Sequence, residues 1–287
     1  MKTTILVQLD TDVQPSVFDA VVAVDAGVDH IFRHGGVTPE KVTGLVHGAI
    51  FTRGPNDLHR TAIFVGGSDV AAAEALMKAV RKTFFGPFRV SVLFDPNGCN
   101  TTAAAAVRAI EEGARESLGQ LEGAAVAVLG ATGPVGQRVA RLLLRRGARV
   151  SVGSRSLERA ESLAAQLRDS GMGEASPFGT DSPEALHLAL AGKSIVVAAG
   201  AAGAVLLPKS VRLALPALKV VVDLNAVPPL GVEGVELGDK KTDREGVLAW
   251  GAIGVGGTKM KLHRQAVEKL FTRNDLVLDA EEIMSEC

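Results

Sequence analysis

The sequence contains no tyrosine, one tryptophan and only two cysteines in 287 residues. So few aromatic rings argue against a base-stacking surface for nucleic acid. A net charge of −1 argues against a broad nucleic-acid or membrane surface. Cys99 and Cys287 are too few for a disulfide framework, which indicates a reducing compartment. We therefore expect a cytoplasmic protein that binds neither nucleic acid nor membranes.

Long apolar runs are also missing. The most apolar segment, 195–207, is short and is interrupted by Gly200 and Gly203, so it does not predict a membrane span. Near the start, only three consecutive apolar residues precede Asp10, unlike a secretory signal. The six histidines are scattered without metal-ligand spacing. The sequence therefore predicts no membrane segment and no metal site.

Glycine and small apolar residues are abundant, and one segment, 124–155, shows how they are used. Residues 124–129 form a short apolar run typical of a strand buried on both faces. Glycines then recur as Gly130, Gly133 and Gly136, and an amphipathic pattern begins at Pro134 and ends at Gly147. A second strand follows over 149–152. Strand, glycine turn, helix and strand are typical of the first half of a dinucleotide-binding Rossmann unit.

Each glycine has a physical reason in such a unit. Glycine permits a tight turn, lets backbone approach a pyrophosphate, and lets a helix pack close to a strand. The N–H groups at the helix start then face the phosphates. The alternative is a purely structural strand–helix turn, which has a similar glycine pattern.

The end of the second strand predicts which dinucleotide is bound. NAD-preferring sites usually place an acidic residue there, but this chain has Ser154 and Arg155 and no acid until Glu158. A guanidinium and hydroxyl groups suit a 2′-phosphate, which a carboxylate would repel. The sequence therefore favours NADP. The alternative is a solvated Arg155 beside a serine that caps the next helix.

The first hundred residues alternate predicted strands and helices, which indicates another α/β domain with a parallel sheet. Ligands of such sheets bind beyond the carboxyl ends of the strands, where the polar segments 10–19 and 95–102 fall. Within this domain we also expect a helix opened by Pro39 and a short strand at 49–52. Nearer the C-terminus we expect a surface excursion over 231–245 and a final helix from about Thr258.

Three segments carry a resemblance to a known family: DTDVQPSVFD, FFGPFRV with DPNGCNTTAAAA, and NAVPPLG with GAIGVGGTKMKLHR. Together with GATGPVG, they make the whole chain resemble the NAD(P)-dependent methylene-tetrahydromethanopterin dehydrogenases of bacterial one-carbon metabolism. The resemblance implies two α/β domains with a cleft between them, and self-association into a homo-oligomer. It implies domain ranges of 1–105 with 262–287 for the pterin substrate and 106–261 for NADP.

The implied reaction moves a hydride from the methylene carbon of methylene-tetrahydromethanopterin to NADP, and some members also use methylene-tetrahydrofolate. Nitrogen lone pairs on both sides of that carbon stabilise the methenyl cation, so no general base is required. Catalysis should then be mostly positioning. The expected cofactor contacts are Gly130, Thr132, Gly133, Pro134, Val135, Gly136, Ser154, Arg155, Ala199, Gly200 and Asn225.

Lys259 matches the active-site lysine of the family, so the resemblance implies that it is the catalytic residue. Lys261 lies about 200° around a helix from Lys259, so the two do not share a face. His263, one turn on, does share it. A charged ammonium beside a forming cation would oppose oxidation. Lys259 therefore either contacts the pterin carbonyl away from that carbon or has a lowered pKa.

Polar residues must also bind the amino and ring N–H groups of the pterin. The candidates are acids, amides and hydroxyls that could equally serve as helix caps or turn residues. With His263, they are Asp12, Ser16, Asp19, Asp95, Asn97, Asn100, Thr101 and Thr102. Two other functions fit the two-domain plan: an NADP-dependent dehydrogenase of shikimate-dehydrogenase type, and a non-catalytic NADP sensor.

Overall fold

A computed structural model describes residues 2–287, and the chain divides into two compact units. One unit runs through Thr101 and includes Met260–Cys287; the other is Thr102–Lys259. The sequence placed these boundaries after residues 105 and 261, a few residues later in each case. Each unit has its own sheet with helices between the strands, which confirms the predicted α/β class.

The elements in chain order are as follows. The strands are β1 (Ile5–Asp10), β2 (His30–His34), β3 (Thr61–Gly66), β4 (Ser91–Phe94), β5 (Ala125–Leu129), β6 (Arg149–Ser154), β7 (Ala175–Gly179), β8 (Ile195–Ala198), β9 (Val220–Asp223), β10 (Lys240–Arg244), β11 (Val247–Trp250) and β12 (Val277–Leu278). The helices are α1 (Val17–Asp25), α2 (Val42–Phe51), α3 (Val70–Thr83), α4 (Cys99–Leu118), α5 (Pro134–Arg145), α6 (Leu157–Asp169), α7 (Pro183–Leu190), α8 (Lys209–Leu213), α9 (Ala252–Lys269) and α10 (Ala280–Glu286).

The sheet of the first unit is parallel throughout, in the order β12-β4-β3-β1-β2. Strand β3 is buried along its whole length, as expected for a strand covered on both faces. Ser16 caps α1 and Asp69 caps α3, each by accepting a hydrogen bond from a backbone N–H in the first turn. Because all strands are parallel, the loops that follow them gather at one edge of the sheet.

The predicted strand at 49–52 is wrong, because these residues belong to the end of α2 or follow it. Val42, Val46, Ala49 and Ile50 are all buried, and their spacing of four, three and one is that of one helical face. The helix also begins at Val42, after Lys41, and not at Pro39. A continuous apolar run at the end of a helix had resembled a short buried strand.

The sheet of the second unit has the order β10-β11-β9-β8-β5-β6-β7. Six neighbouring strands of this sheet, β11, β9, β8, β5, β6 and β7, pair in parallel in the doubly wound Rossmann order. Strand β10 pairs with β11 in the antiparallel direction and forms one edge. Gly113 on α4 faces this sheet: a Cβ atom there would lie 2.9 Å from Val220 and 3.0 Å from Trp250. The strand order reverses between β5 and β8, and a ligand site is expected at that point.

Two further predictions about the second unit need correction. The segment 231–245 is not wholly a surface excursion, because it contributes β10 to the sheet and buries Val232 and Val235. Helix α9 begins at Ala252 and not near Thr258, so three glycines lie inside it. One of them, Gly254, is required by packing, since a Cβ atom would lie 1.8 Å from the carbonyl oxygen of Asp239.

Candidate functional site

In the first unit, the loop after β1 is held by the strand's last residue. Asp10 is 1% exposed and accepts hydrogen bonds from the backbone N–H groups of Asp12 (2.9 Å) and Ser16 (3.1 Å). The Asp12 carboxylate in turn accepts from the N–H (3.0 Å) and hydroxyl (2.9 Å) of Ser68, in the loop after β3. Asp12 and Ser16 therefore lie in one ordered edge of the sheet, and both remain partly accessible to water.

The segment after β4 is organised around Asp95, which is completely buried. One carboxylate oxygen accepts from the N–H groups of Asn100 (2.8 Å) and Thr101 (3.0 Å), and the other accepts from the Thr101 hydroxyl (2.6 Å). The Asn100 amide donates to the carbonyl of Phe94. These three predicted substrate ligands thus bond to the beginning of α4 and to each other.

Asn97 and Thr102 differ from their neighbours because they are accessible. Asn97 is exposed and has φ 50°, a left-handed conformation that asparagine tolerates. Thr102 is partly exposed on the first turn of α4. Of the polar residues in 95–102, these two therefore present their side chains at the surface.

Asp19 and His263 form a second polar group in the first unit. His263 on α9 is fully buried, and its Nε2 lies 3.9 Å from a carboxylate oxygen of Asp19 on α1. Its ring stacks on Phe64 with centroids 5.9 Å apart, and Phe18 is 6.2 Å away. Asp19 keeps 13% of its side chain exposed. The imidazole is thereby enclosed, and the carboxylate is the member of the pair that reaches the surface.

The two lysines of α9 have different surroundings. Lys259 is partly buried, one helical turn before His263, and Lys261 is exposed. Lys259 is the last residue of the second unit, and His263 belongs to the first.

The glycine turn of the second unit has the close approaches that dinucleotide binding requires. Gly130 has φ 68°, and a Cβ atom on it would lie 2.4 Å from Cα of Gly200, at the end of the neighbouring strand β8. A Cβ atom on Gly136 would lie 2.6 Å from the carbonyl oxygen of Gly130. Side chains at these two positions would prevent β5, β8 and α5 from meeting as they do.

Gly133 is different, because its φ is −78° and a Cβ atom would meet only ordinary contacts. It occupies the N-cap of α5 without a side-chain hydrogen bond, and Pro134 is the first helical residue. The N–H groups of Val135 and Gly136 therefore stand at a helix start where intrahelical acceptors are missing. Backbone donors and the positive end of the helix dipole thus meet at Gly133, which suits a phosphate.

The end of β6 places Ser154 and Arg155 differently. Ser154 is 7% exposed, accepts from the N–H of Ser156 at 3.3 Å, and lies 3.5 Å from the Thr132 hydroxyl. Arg155 is exposed and lines a cavity of about 530 Å³. Its other lining residues are Leu157, Phe178, Gly179, Asp181, Ala185, Leu188 and Ala189. The cavity is largely apolar with one cation and one carboxylate, so it suits a flat, partly apolar group that carries an anion on the Arg155 side.

Asn225 lies in the loop that follows β9, and its side chain is engaged by that loop. Its amide donates to the carbonyl of Pro229 (3.1 Å) and accepts from the N–H of Val227 (3.0 Å). Asp223 accepts from the N–H groups of Asn225 and Val232. Burial raises the pKa of the Asp223 carboxyl above its ordinary value, while backbone donors of the loop act in the opposite direction. Asn225 therefore shapes its own loop, 225–229.

Sequence reasoning missed Asp10 and Asp223, which organise the loops after β1 and β9. Both are the last residues of largely apolar strands, and both accept hydrogen bonds from backbone N–H groups further along. An acid that ends an apolar run before a polar loop could have identified them. Among residues 2–287, no group of three His, Cys, Asp or Glu could hold a metal ion, and no helix is long and apolar enough to cross a membrane.

In comparisons with known proteins, two family models match different parts of the chain. The family model of the N-terminal part of methylene-tetrahydromethanopterin dehydrogenase matches residues 17–97, and that of shikimate/quinate 5-dehydrogenase matches 112–232. Among solved structures, shikimate 5-dehydrogenase from Listeria monocytogenes, in complex with shikimate and NAD, superposes with a TM-score of 0.57 at 15% identity. The superposition covers 99% of this chain and 96% of the Listeria chain. The fold and the glycine turn define a two-domain α/β protein of the dehydrogenase class with a Rossmann unit.

Two curated relatives come from Methylorubrum extorquens. The bifunctional protein MdtA is 44% identical over 99% of this chain and 97% of its own length. An NAD(P)-dependent methylenetetrahydromethanopterin dehydrogenase is 31% identical over 92% of this chain and 91% of its own length. The chain belongs to the NAD(P)-dependent methylene-tetrahydromethanopterin dehydrogenase family.

Proposed function

We propose that this protein is an oxidoreductase that transfers a hydride from the methylene carbon of methylene-tetrahydromethanopterin to NADP, giving the methenyl form. The observation that carries the proposal is the glycine turn, where a Cβ atom on Gly130 would lie 2.4 Å from Cα of Gly200, so that this position admits no side chain. It occurs in a chain 44% identical over nearly its full length to MdtA. Methylene-tetrahydrofolate is a second substrate to test.

The second unit would hold the dinucleotide. The N–H groups at the start of α5 would bind its pyrophosphate, and Gly133 leaves room for that approach. Arg155 would pair with the 2′-phosphate, and the cavity it borders would receive the adenine. Ser154 and Thr132 would set the shape of the turn beneath the ribose. When bound, the nicotinamide ring supplies the hydride acceptor.

The first unit would hold the pterin through residues that stay accessible. Asp12, Ser16 and Asp19 lie along the loop after β1 and the start of α1, and Asn97 follows β4. Thr102, the first residue of the second unit, is a further candidate on α4. Carboxylate and amide oxygens accept from pterin amino and ring N–H groups. Asp95, Asn100 and Thr101 would act as positioning residues, since their polar atoms hold the start of α4.

Lys259 would be the catalytic residue, directing its ammonium to the pterin carbonyl. His263 would act through Asp19, because its ring is enclosed between aromatic side chains and is buried from water. No residue has to remove a proton, since the ring nitrogens stabilise the methenyl cation. The task of these side chains is to place the methylene carbon in hydride-transfer distance, roughly 3–3.5 Å.

A shikimate-type reaction is less well supported. It would require a lysine–aspartate proton-transfer pair in the substrate loops of the first unit. Lys2 instead pairs with Asp57 at 2.9 Å, Lys41 immediately precedes α2 in the connection after β2, and Lys78 and Lys82 lie in the later turns of α3. These lysines therefore lie away from the loops after β1, β3 and β4.

We also infer that the protein self-associates in the cytoplasm, where the dinucleotide pool is available. Val17, Val21 and Val24 recur at helical spacing on α1 and are each more than half exposed, as is Phe32 on the edge strand β2. An exposed apolar stripe beside an unpaired strand edge is typical of a subunit interface. Val21→Lys should lower the mass measured by light scattering if a second copy covers this face.

The function is tested by mixing the purified protein with each methylene pterin and with NADP or NAD, and following reduced nicotinamide by absorbance. We expect turnover with methylene-tetrahydromethanopterin and NADP. Shikimate with NADP is the control. Turnover of shikimate alone would overturn the proposal in favour of the related dehydrogenase. NADP binding without turnover of any of these substrates would favour a sensor.

A further inference from the structure

A second cavity, with a polar lining, lies in the second unit, at the amino ends of β6, β7 and β8. Its volume is about 310 Å³, within the range of small-molecule sites. We call it the basic cavity and define it by Arg149, Ser151, Arg168, Ser176 and Lys193. Arg149 begins β6, and Ser154 ends the same strand roughly 16 Å away. The basic cavity and the glycine turn therefore occupy opposite edges of the sheet.

Lys193 is fixed within the basic cavity. Its ammonium donates to the hydroxyl of Ser151 at 2.7 Å, and Ser151 shares a hydrogen bond of 2.8 Å with Ser176 on the neighbouring strand. Ser151 is 5% exposed, so this end of the network is buried. An ammonium has three donors, of which this network uses one. The remaining N–H groups are available to the cavity.

The two arginines are held in a similar way. Arg149 Nε donates to the carbonyl of Gly123 at 3.2 Å, and Arg168 donates to the carbonyl of Ala175 at 2.6 Å. Each guanidinium carries five N–H donors, so each keeps unused donors beyond these bonds. Backbone carbonyls thereby hold both planar groups at the cavity wall.

The positive charge of this cluster is only partly offset by the protein. Three cationic side chains border the basic cavity, and the single acidic residue in its wall is Glu174. Among residues 2–287, none of the three cations forms an ion pair. Burial lowers the pKa of Lys193, and the nearby charge of Arg149 lowers it further. Three cations against one carboxylate leave an excess of positive charge at the cavity, which an anion would offset.

We propose that the basic cavity is a binding site for a small oxyanion of the phosphate class, separate from the dinucleotide site. Guanidinium groups bind phosphate through paired hydrogen bonds, and an ammonium adds a point charge. The Ser151–Ser176 hydrogen bond uses one of the two hydroxyl protons, and the other can add one donor to the set. A concave volume of about 310 Å³ fits a phosphate or a small phosphate ester, whereas an acidic peptide would need a longer groove. The proposal does not depend on the reaction proposed above.

The test uses the full-length protein, with inorganic phosphate and ribose 5-phosphate as probes and chloride at equal ionic strength as the blank. Calorimetry gives the affinity, and hydrogen exchange gives the location. We expect protection at 149–151 and 174–176. We expect Lys193→Gln to weaken phosphate binding about tenfold or more, the range for a charge-assisted hydrogen bond. Lys193→Arg should restore most of the affinity, and Lys261→Gln, an exposed charge loss elsewhere, should change nothing.

Phosphate also has an expected site beside Arg155, so the two must be distinguished. Arg155→Ala should leave protection at 149–151 intact, and Lys193→Gln should leave the affinity for NADP intact. Arg149→Gln provides a second variant should Lys193→Gln fail to fold. Protection confined to 130–136, or equal weakening by Lys193→Gln and Lys261→Gln, would overturn the proposal. Tighter binding of ribose 5-phosphate than of inorganic phosphate would identify a phosphate ester as the ligand. Binding of an acidic peptide, with no binding of either phosphate probe, would refute a small-anion site.

Discussion

The hydroxyl of Thr101 donates a 2.6 Å hydrogen bond to the carboxylate of Asp95, and both residues are completely buried. The same carboxylate accepts two backbone N–H groups at the start of α4. Asp95 and Thr101, which the sequence predicts as substrate ligands, therefore stabilise the beginning of a helix. The relationship separates side chains that shape the substrate loop from those that can touch a substrate.

We expect Asp95→Ala to lower the free energy of unfolding by about 3 kcal/mol or more, because a helix cap and several buried donors lose their acceptor. The measurement is urea denaturation. Asn97→Gly is the matched change in the same loop. It removes an exposed amide while keeping a residue that accepts the left-handed backbone. It should raise KM for the pterin severalfold with little loss of stability. The reverse pattern would show that Asp95 contacts the substrate and Asn97 holds the loop.

The sequence predicted the Rossmann unit well because its signals are local. A buried strand, a glycine turn and an amphipathic helix each depend on neighbouring residues, and Gly130, Gly136 and Gly147 lie where the spacing placed them. The strand predicted at 49–52 failed because a short apolar run has no period that distinguishes a strand from a helix end. Arg149 and Lys193 meet only after the sheet forms, so no sequence spacing could have paired them.

Two glycines of the turn should respond differently to the same added methyl group. Gly133→Ala should fold normally, because φ is −78° and the new Cβ would lie 3.4 Å from the carbonyl oxygen of Gly130. It should nevertheless raise the Kd for NADP about tenfold or more by keeping the pyrophosphate from the backbone. Gly130→Ala should fail to fold stably, since its Cβ would lie 2.4 Å from Gly200. Thermal unfolding and fluorescence titration check both. Unchanged NADP affinity in a folded Gly133→Ala protein would mean that the turn is purely structural.

The two lysines of α9 provide another matched pair. Lys259→Ala should lower kcat/KM for the pterin on the order of 100-fold, the cost of a poorly placed reactant. The Kd for NADP should change little. Lys261→Ala should leave both values unchanged, because Lys261 is exposed and lies about 200° around the helix. Steady-state kinetics with titrated pterin and a separate NADP titration distinguish them. A larger effect from Lys261 would mean that the other face of α9 serves the reaction.

Arg155 should determine the preference for NADP over NAD. Its guanidinium is exposed at the end of a strand that carries no acid, so it can pair with a 2′-phosphate that NAD lacks. Hydrogen bonds to charged groups contribute about 1.5–3 kcal/mol, or roughly a 10- to 150-fold preference at about 1.4 kcal/mol per decade. Exposure to water favours the lower end of this range, and added salt should reduce it further.

Arg155→Ala should therefore raise KM for NADP about tenfold, at the lower end of that range, with little change in kcat or in KM for NAD. Arg159→Ala is the control, because it removes an exposed arginine from the first turn of the adjoining helix α6. Both variants should be compared with both cofactors at low and high salt. Asp181 also lines the cavity, and its carboxylate would oppose a phosphate placed near it. The 2′-phosphate is thus expected at the Arg155 side. An equal rise of KM for both cofactors would instead mean that Arg155 supports the turn and does not recognise the phosphate.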